Sequence, residues 1–294
     1  MATHGSTTAS SRYFVPAPSA WPFYLTAGLF TLLYGVCCLL EDRPWPWQAM
    51  ITVGVLIVLS VVTFWIRGVA HESETGSYNA QVDRTYRWGM SWFIFSEVMF
   101  FAAFFGALFY ARTLVIPWLG GVGAKLSTHL TLWPGFNAGW PSNGPGNIGG
   151  AFETIPPWGV PFLNTCLLLS SGVTITMAHH ALKAAKRTQC ILWMIATVGF
   201  GATFLWYQAH EYMEAYSTLN LTLGSGVYGS TFFMLTGFHG MHVTLGTIML
   251  MVITLRLILG HFKPESHFGF EGVAWYWHFV DVVWIGLFVF VYVL

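Results

Sequence analysis

The sequence predicts an all-α membrane protein with seven transmembrane helices and very little water-soluble structure. Charged residues make up 8% of the 294-residue chain, whereas about a quarter of an ordinary globular domain is charged. Hydrophobic residues make up 55% and aromatic residues 18% of the chain. Because so few charged side chains cannot cover a soluble protein of this length, lipid must surround most of it. The formal net charge of zero gives no indication of a nucleic-acid partner.

Seven apolar segments are long enough to cross a bilayer, which takes about 20 mostly apolar residues in a helix. They are residues Trp21–Leu40, 47–66, 86–110, 158–182, 190–213, 228–259 and 271–294. Tryptophan and tyrosine recur near the ends of these segments, as is typical of side chains at the lipid headgroups. Residues 1–20 are polar and lack the pattern of a signal peptide, so we expect an N-terminal cytoplasmic tail before an uncleaved first helix.

The connections between the segments are short except for one. Residues 114–157 are rich in glycine, proline and tryptophan and show neither helical nor alternating periodicity. We therefore expect them to form an ordered, irregular loop on the outer side of the membrane. The chain divides accordingly into the tail, a first pair of helices in residues 21–66, and five further helices in residues 86–294.

The basic residues predict the orientation of the chain. Nine of the twelve lysines and arginines lie at one set of alternating segment ends, and three lie at the other. The nine are Arg12, Arg67, Arg84, Arg87, Lys183, Lys186, Arg187, Arg256 and Lys263. The three are Arg43, Arg112 and Lys125. From the positive-inside rule we expect a multi-pass protein of a bacterial-type plasma membrane, with a cytoplasmic N-terminus and a periplasmic C-terminus.

One carboxyl group lies deep in an apolar segment. Glu97 follows the start of the third segment by about ten residues, which places it roughly 15 Å from the inner end of that helix. A charged group at this depth costs about 2.5–3.5 kcal/mol on insertion scales, so it is a candidate functional residue. Glu97 either fixes the packing of helices through a hydrogen bond or takes part in proton handling or lipid contact.

Other polar residues share this depth on the last two segments. His278 and Asp281 are three residues apart and so lie on one helix face, as do His239 and His242. We expect these histidines and the two buried carboxylates, Glu97 and Asp281, to form a polar cluster in the interior of the bundle.

Two further groups lie near the segment ends. His179 and His180 end the fourth segment on the inner side, and His210, Glu211 and Glu214 end the fifth on the outer side. We interpret both groups as polar helix ends that reach water or lipid headgroups.

The sequence predicts no catalytic residue and no metal or redox cofactor bound by this chain. The four cysteines have no paired spacing, and CxxCH and HExxH motifs are absent. Two alternatives remain open. A haem held by His239, His242 or His278 would make the chain an electron carrier, and a proton path through Glu97 and Asp281 would make it a stand-alone proton-coupled transporter.

Five stretches of the sequence resemble the subunit III family of haem–copper cytochrome c oxidases. They are HFGFEGVAWYWHFVDVVW (267–284), VYGSTFFMLTGFHGMHVTLG (227–246), LNTCLLLSSGVTITMAHH (163–180), WFIFSEVMFF (92–101) and QAHEYMEA (208–215). The two leading helices resemble the seven-helix form of this family, which implies cytochrome c as the electron donor. Subunit III of a related quinol oxidase is the alternative within the family.

The resemblance implies a non-catalytic core subunit of a proton-pumping oxidase that reduces oxygen to water in respiratory electron transport. In that family, subunit III packs on subunit I, which together with subunit II holds the haem and copper centres. The first two helices are separated from the other five by a V-shaped cleft that binds phospholipids. The subunit sustains proton uptake and protects the enzyme during turnover.

The resemblance also assigns roles to single residues. Glu97 matches a buried carboxylate that reacts with carbodiimides in the family and lies near bound lipid. Arg256 matches an arginine that binds a lipid phosphate. Trp65 and Arg67, at the end of the second segment, are expected to line the lipid cleft.

Overall fold

The structure is a computed structural model that describes residues 15, 18–76 and 78–294. Arg12 and most of the predicted tail therefore lie outside the described residues. The helices are α1 (Trp21–Leu40), α2 (Trp47–Glu74), α3 (Ala80–Tyr110), α4 (Ile116–Leu119), α5 (Leu126–Leu132), α6 (Val160–Lys183), α7 (Arg187–Ser217), α8 (Gly226–Leu259) and α9 (Phe268–Leu287). Within these described ranges, seven helices are long and apolar enough to cross a membrane, which confirms the predicted fold class.

α2 and α3 each extend six or more residues beyond one end of the apolar segment that predicted them. α2 continues eight residues past residue 66 to Glu74 and ends just before Gly76, whose φ is 76°. α3 begins six residues before residue 86, where the side-chain oxygen of Asn79 accepts hydrogen bonds from the backbone N–H groups of Gln81 and Val82. Hydropathy therefore located the membrane-spanning part of each helix and not its ends.

The long connection is more regular than the sequence indicated. α3 continues through a π-helical turn (Ala111–Val115) into α4, and α5 forms a second short helix further along. The Nδ1 atom of His129 on α5 lies 2.8 Å from the carbonyl oxygen of Leu119 and links the two short helices. The expectation of an irregular loop throughout residues 114–157 was therefore wrong for the parts that form α4 and α5.

The chain divides into two compact units, Met1–Tyr86 and Arg87–Leu294. In the first unit, α1 and α2 pack as an antiparallel hairpin. Gly54 of α2 allows the closest approach, since a Cβ atom at this position would lie 2.6 Å from the backbone nitrogen of Leu32. Small residues serve this purpose widely in membrane helix pairs, where close van der Waals packing replaces the hydrophobic effect.

The second unit contains most of α3 together with α6, α7, α8 and α9. Its core is apolar and aromatic, and α9 is the most buried of its spanning helices. The indole N–H of Trp277 on α9 donates to the hydroxyl of Ser171 on α6 at 2.8 Å. Seven residues later, the indole of Trp284 donates to the hydroxyl of Thr165 at 2.9 Å. These bonds satisfy buried polar atoms and fix α9 along α6.

Candidate functional site

The second unit brings Glu97 of α3 to His242 of α8. The Nε2 atom of His242 lies 3.0 Å from Oε2 of Glu97, and the two side chains are 7% and 23% exposed, respectively. The rings of Phe100, Phe101 and Phe279 surround the imidazole. His242 lies near the middle of the 34-residue helix α8, so this contact is at the depth of the hydrocarbon.

The second nitrogen of His242 determines how this pair is protonated. Its Nδ1 atom lies 2.6 Å from the carbonyl oxygen of Phe238. Because a carbonyl only accepts hydrogen bonds, Nδ1 carries a hydrogen and donates it. A neutral His242 then accepts the proton of a protonated Glu97 at Nε2, whereas a charged His242 donates to a carboxylate. In both forms the pair shares one proton and has no net charge, which lowers the cost of placing it in lipid.

Asp281 of α9 pairs with a different histidine. Asp281 is 6% exposed, and its Oδ2 atom lies 3.6 Å from Nδ1 of His278, which is longer than a hydrogen bond. The Nε2 atom of His278 lies 3.3 Å from the hydroxyl of Thr176 on α6. Gly172 of α6 leaves the space that the carboxylate occupies, since a Cβ atom there would lie 2.6 Å from Oδ2.

His239 stands apart from both pairs. It is 1% exposed, and its Nε2 atom donates to the carbonyl oxygen of Val280 at 3.2 Å. Its ring packs between Phe204 and Trp284. The residues predicted to form one polar cluster thus form two pairs and a separate imidazole. His239 and His242 both use Nε2, the nitrogen that usually binds haem iron, for contacts within the protein, which disfavours either residue as a ligand in the haem alternative.

The predicted lipid-binding residues lie at helix ends or on exposed faces. Arg256, in the last turn of α8, places its guanidinium carbon 4.8 Å from the centre of the Phe262 ring. Its position beside an aromatic ring near a helix end is typical of a guanidinium at the lipid headgroups. Trp65 and Arg67 are exposed on α2 in the first unit.

Glu211 was interpreted wrongly as part of a water-exposed helix end. It is 2% exposed, and its Oε1 atom accepts hydrogen bonds from the hydroxyl of Tyr292 at 2.6 Å and the amide of Gln208 at 3.3 Å. Its neighbours His210 and Glu214 are exposed. The spacing of three residues between Gln208 and Glu211 was a sequence signal for their contact. Tyr292 comes from a distant helix, and no local pattern predicts its approach.

An ion pair between α3 and α9 was also missed. Nη1 of Arg87 lies 2.6 Å from Oε2 of Glu271, in the first turn of α9, and the guanidinium lies over the Phe268 ring. The Glu271 side chain is 15% exposed, so this pair is better shielded from water than most surface salt bridges. The positive-inside count treated Arg87 only as a loop charge, whereas it also fixes the start of α9.

Comparison with known proteins identifies the family. A family profile described as Cytochrome c oxidase subunit III matches residues 11–294. The chain is 39% identical to cytochrome c oxidase subunit 3 of Marchantia polymorpha over 276 residues, which cover 94% of this chain and 93% of the relative. The corresponding proteins of Arabidopsis thaliana and Papio hamadryas are 38% and 37% identical, each over 95% of this chain and 95% and 96% of their own lengths. The chain therefore belongs to the cytochrome c oxidase subunit III family.

Proposed function

We propose that this chain is the non-catalytic third core subunit of a proton-pumping cytochrome c oxidase, and that it packs against subunit I. The family match, which extends over residues 11–294, carries this proposal. Membership of an oxidase complex follows from the family. In this proposal, subunits I and II hold the haem and copper centres, and cytochrome c is the electron donor of the complex.

A polar residue on the surface of α9 supports packing on another membrane protein. The side chain of His278 is 45% exposed, although it lies about 15 Å along the helix from Phe268. Thr176, its partner on α6, is exposed as well. An imidazole that faces hydrocarbon is costly, and polar residues inside a membrane almost always face protein or water. We assign this face to the contact with subunit I.

The proposal gives phospholipids a structural role. Trp65 and Arg67 lie where the apolar part of α2 ends. Arg256 lies in the last turn of α8, on the side where most lysines and arginines lie. A guanidinium at such a position binds phosphate oxygens through paired hydrogen bonds while its stem stays in lipid. We propose that each of these residues binds phospholipid, and that the bound lipid sustains turnover and proton uptake by subunit I.

The Glu97–His242 pair supports a role for Glu97 in holding two helices in position. Because the pair has no net charge in either protonation form, it holds α3 against α8 without a buried ion that needs water. We propose that Glu97 maintains helix packing near the lipid sites. The basic ends of α6 and α8 would face the cytoplasm of a bacterial-type plasma membrane, with the C-terminus in the periplasm.

Purification from the native membrane tests the proposal directly. A tag on this chain is expected to recover haem- and copper-containing partner subunits together with oxygen consumption driven by reduced cytochrome c. Recovery of the chain alone, or with partners that contain no haem–copper centre, would contradict the proposed function.

A photo-crosslinker at Val282, one turn from His278 and 66% exposed, is expected to label subunit I. A crosslinker at Phe30 of α1, 69% exposed, serves as the control for a lipid-facing position.

Lipid binding needs a separate measurement. Arg256→Ala is expected to remove bound phospholipid, as measured by mass spectrometry of the intact complex, and to shorten the active lifetime of the enzyme during turnover. Arg43→Ala, at the opposite end of the helices, is the matched control. Unchanged lipid content and lifetime in Arg256→Ala would remove the assigned role of this residue.

A further inference from the structure

Three metal-ligating side chains from two helices meet at the basic end of the second unit. His179 lies in the last turns of α6, His267 directly precedes α9, and Glu271 lies in the first turn of α9. His267 and Glu271 are four residues apart and share a face, because the N–H of Glu271 donates to the carbonyl of His267 at 3.1 Å. One ligand atom from each of the three side chains lies within 4.8 Å of the others.

The distance between the imidazoles matches the geometry of a metal centre. Nε2 of His179 lies 3.3 Å from Nε2 of His267. Two imidazole nitrogens bound to one tetrahedral Zn²⁺ at about 2.0–2.1 Å are separated by about 3.3–3.4 Å. This separation is slightly longer than the about 2.7–3.2 Å of an ordinary N–H···O hydrogen bond. The two rings are thus placed as two ligands of one ion would be.

We propose that His179, His267 and Glu271 form a binding site for a divalent transition-metal ion of the zinc class. Two histidines and one carboxylate are a common ligand set for Zn²⁺, and a water molecule would complete the tetrahedron. All three residues are half-buried, so the ion reaches them from the aqueous side. Both rings then carry their hydrogen on Nδ1. The bound ion links the end of α6 to the start of α9.

The charges around this site set its affinity. Nη1 of Arg87 lies 2.6 Å from Oε2 of Glu271, so the guanidinium occupies one of the two carboxylate oxygens. Lys183 follows His179 by one turn of α6 and adds a second positive charge nearby. Both cations oppose the binding of a dication, and Arg87 also competes directly for a ligand. Removal of Arg87 is therefore expected to strengthen metal binding, whereas removal of a histidine weakens it.

Zinc binding by the assembled complex tests this site. After treatment with a chelator, the wild-type complex is expected to bind one more Zn²⁺ than His267→Gln, as counted by elemental analysis and by competition with a chromophoric chelator. Loss of a ligand should weaken binding at this site by at least about tenfold, since even residues that only orient a ligand have effects of that size. His180→Gln, the adjacent exposed histidine, is the matched control and should bind like the wild type.

A second variant keeps the test informative if His267→Gln fails to assemble. Arg87→Gln is expected to bind Zn²⁺ more tightly than the wild type, and Co²⁺ in place of Zn²⁺ should give the visible absorption of a tetrahedral centre. Equal Zn²⁺ stoichiometry and affinity in the wild type, His267→Gln and Arg87→Gln would overturn the proposal. The two imidazoles would then be a hydrogen-bonded pair only. These readouts do not depend on oxidase activity, so they are independent of the proposed function.

Discussion

The contact between Gly172 and Asp281 gives a sharp test of how a buried carboxylate is accommodated between α6 and α9. A Cβ atom at Gly172 would lie 2.6 Å from Oδ2 of Asp281 and 3.6 Å from both its Cγ atom and Nδ1 of His278. Gly172→Ala must therefore displace the carboxylate, which is 6% exposed and has few alternative positions. Oδ1 is already buried and has no hydrogen-bond partner among the residues that the structure describes.

The magnitude follows from two opposing effects. Forcing one extra methyl group into a packed interior typically costs about 1–3 kcal/mol. Replacing glycine by alanine inside a helix otherwise favours the helix by up to about 1 kcal/mol. We expect the net effect of Gly172→Ala in the wild-type background to be a decrease of up to about 3 kcal/mol in the free energy of unfolding. In an Asp281→Ala background the obstacle is absent, so the same substitution should be neutral or stabilising.

Titration with SDS in mixed micelles, followed by far-UV circular dichroism, measures these free energies. The four proteins of the double-mutant cycle are expected to show a coupling of about 1–3 kcal/mol between the two positions, because the helix gain cancels and only the overpacking cost remains. Gly199→Ala on α7 is the control, because no atom of the described residues lies within 4 Å of a Cβ atom there. If Gly172→Ala destabilised both backgrounds equally, the contact with Asp281 would not be the cause and the reasoning would fail.

Three other perturbations have definite expected outcomes. Glu97→Gln should change the free energy of unfolding little, because its amide still donates to Nε2 of His242, whereas Glu97→Leu should cost about 0.6–1.7 kcal/mol in the SDS titration. Arg187→Gln removes two donors to the carbonyls of Leu257 and Ile258, at the end of α8. It should lower the free energy of unfolding by about 0.3–1 kcal/mol and speed amide hydrogen exchange just after α8. Unchanged exchange would refute the capping role. Burial raises the pKa of the Tyr78 phenol in the folded protein. The contribution of the neutral phenol to the free energy of unfolding is therefore fully present below about pH 10 and is lost as the pH rises further. Tyr78→Phe should remove that part of the alkaline loss of thermal stability, and identical alkaline curves would contradict it.

The sequence predicted the membrane segments well because their signal is local. Each span is a run of apolar residues, and composition alone identifies it. The depth of Glu97 and His242 followed from counting residues along two helices, and this placed them at similar levels. Which histidine each carboxylate contacts depends on how the helices are rotated about their axes. That rotation is set by packing between residues far apart in the chain, so it left no pattern in any one segment.

The burial of Glu211 and the helices α4 and α5 were predicted wrongly because local composition normally indicates a different structure. Glu211 occurs in a polar stretch, QAHEYMEA, and polarity normally indicates exposure. It is buried because Tyr292 approaches from the last turns of the chain and donates to it. α4 and α5 were missed because a stretch rich in glycine and proline normally indicates a loop. Pro117 lies in the first turn of α4, where a proline costs the helix no hydrogen bond.

The two tryptophan–hydroxyl bonds between α9 and α6 have a mechanical consequence. Each hydroxyl already donates to a carbonyl of its own helix, Ser171 to Leu168 at 2.6 Å and Thr165 to Pro161 at 2.9 Å, so each accepts from its indole in one orientation only. Sliding α9 along its axis by one turn, about 5.4 Å, would break both bonds at once and leave indole N–H groups unpaired in a medium without water. Sliding of α9 against α6 is therefore costly, and we expect an axial displacement of α9 to carry α6 with it.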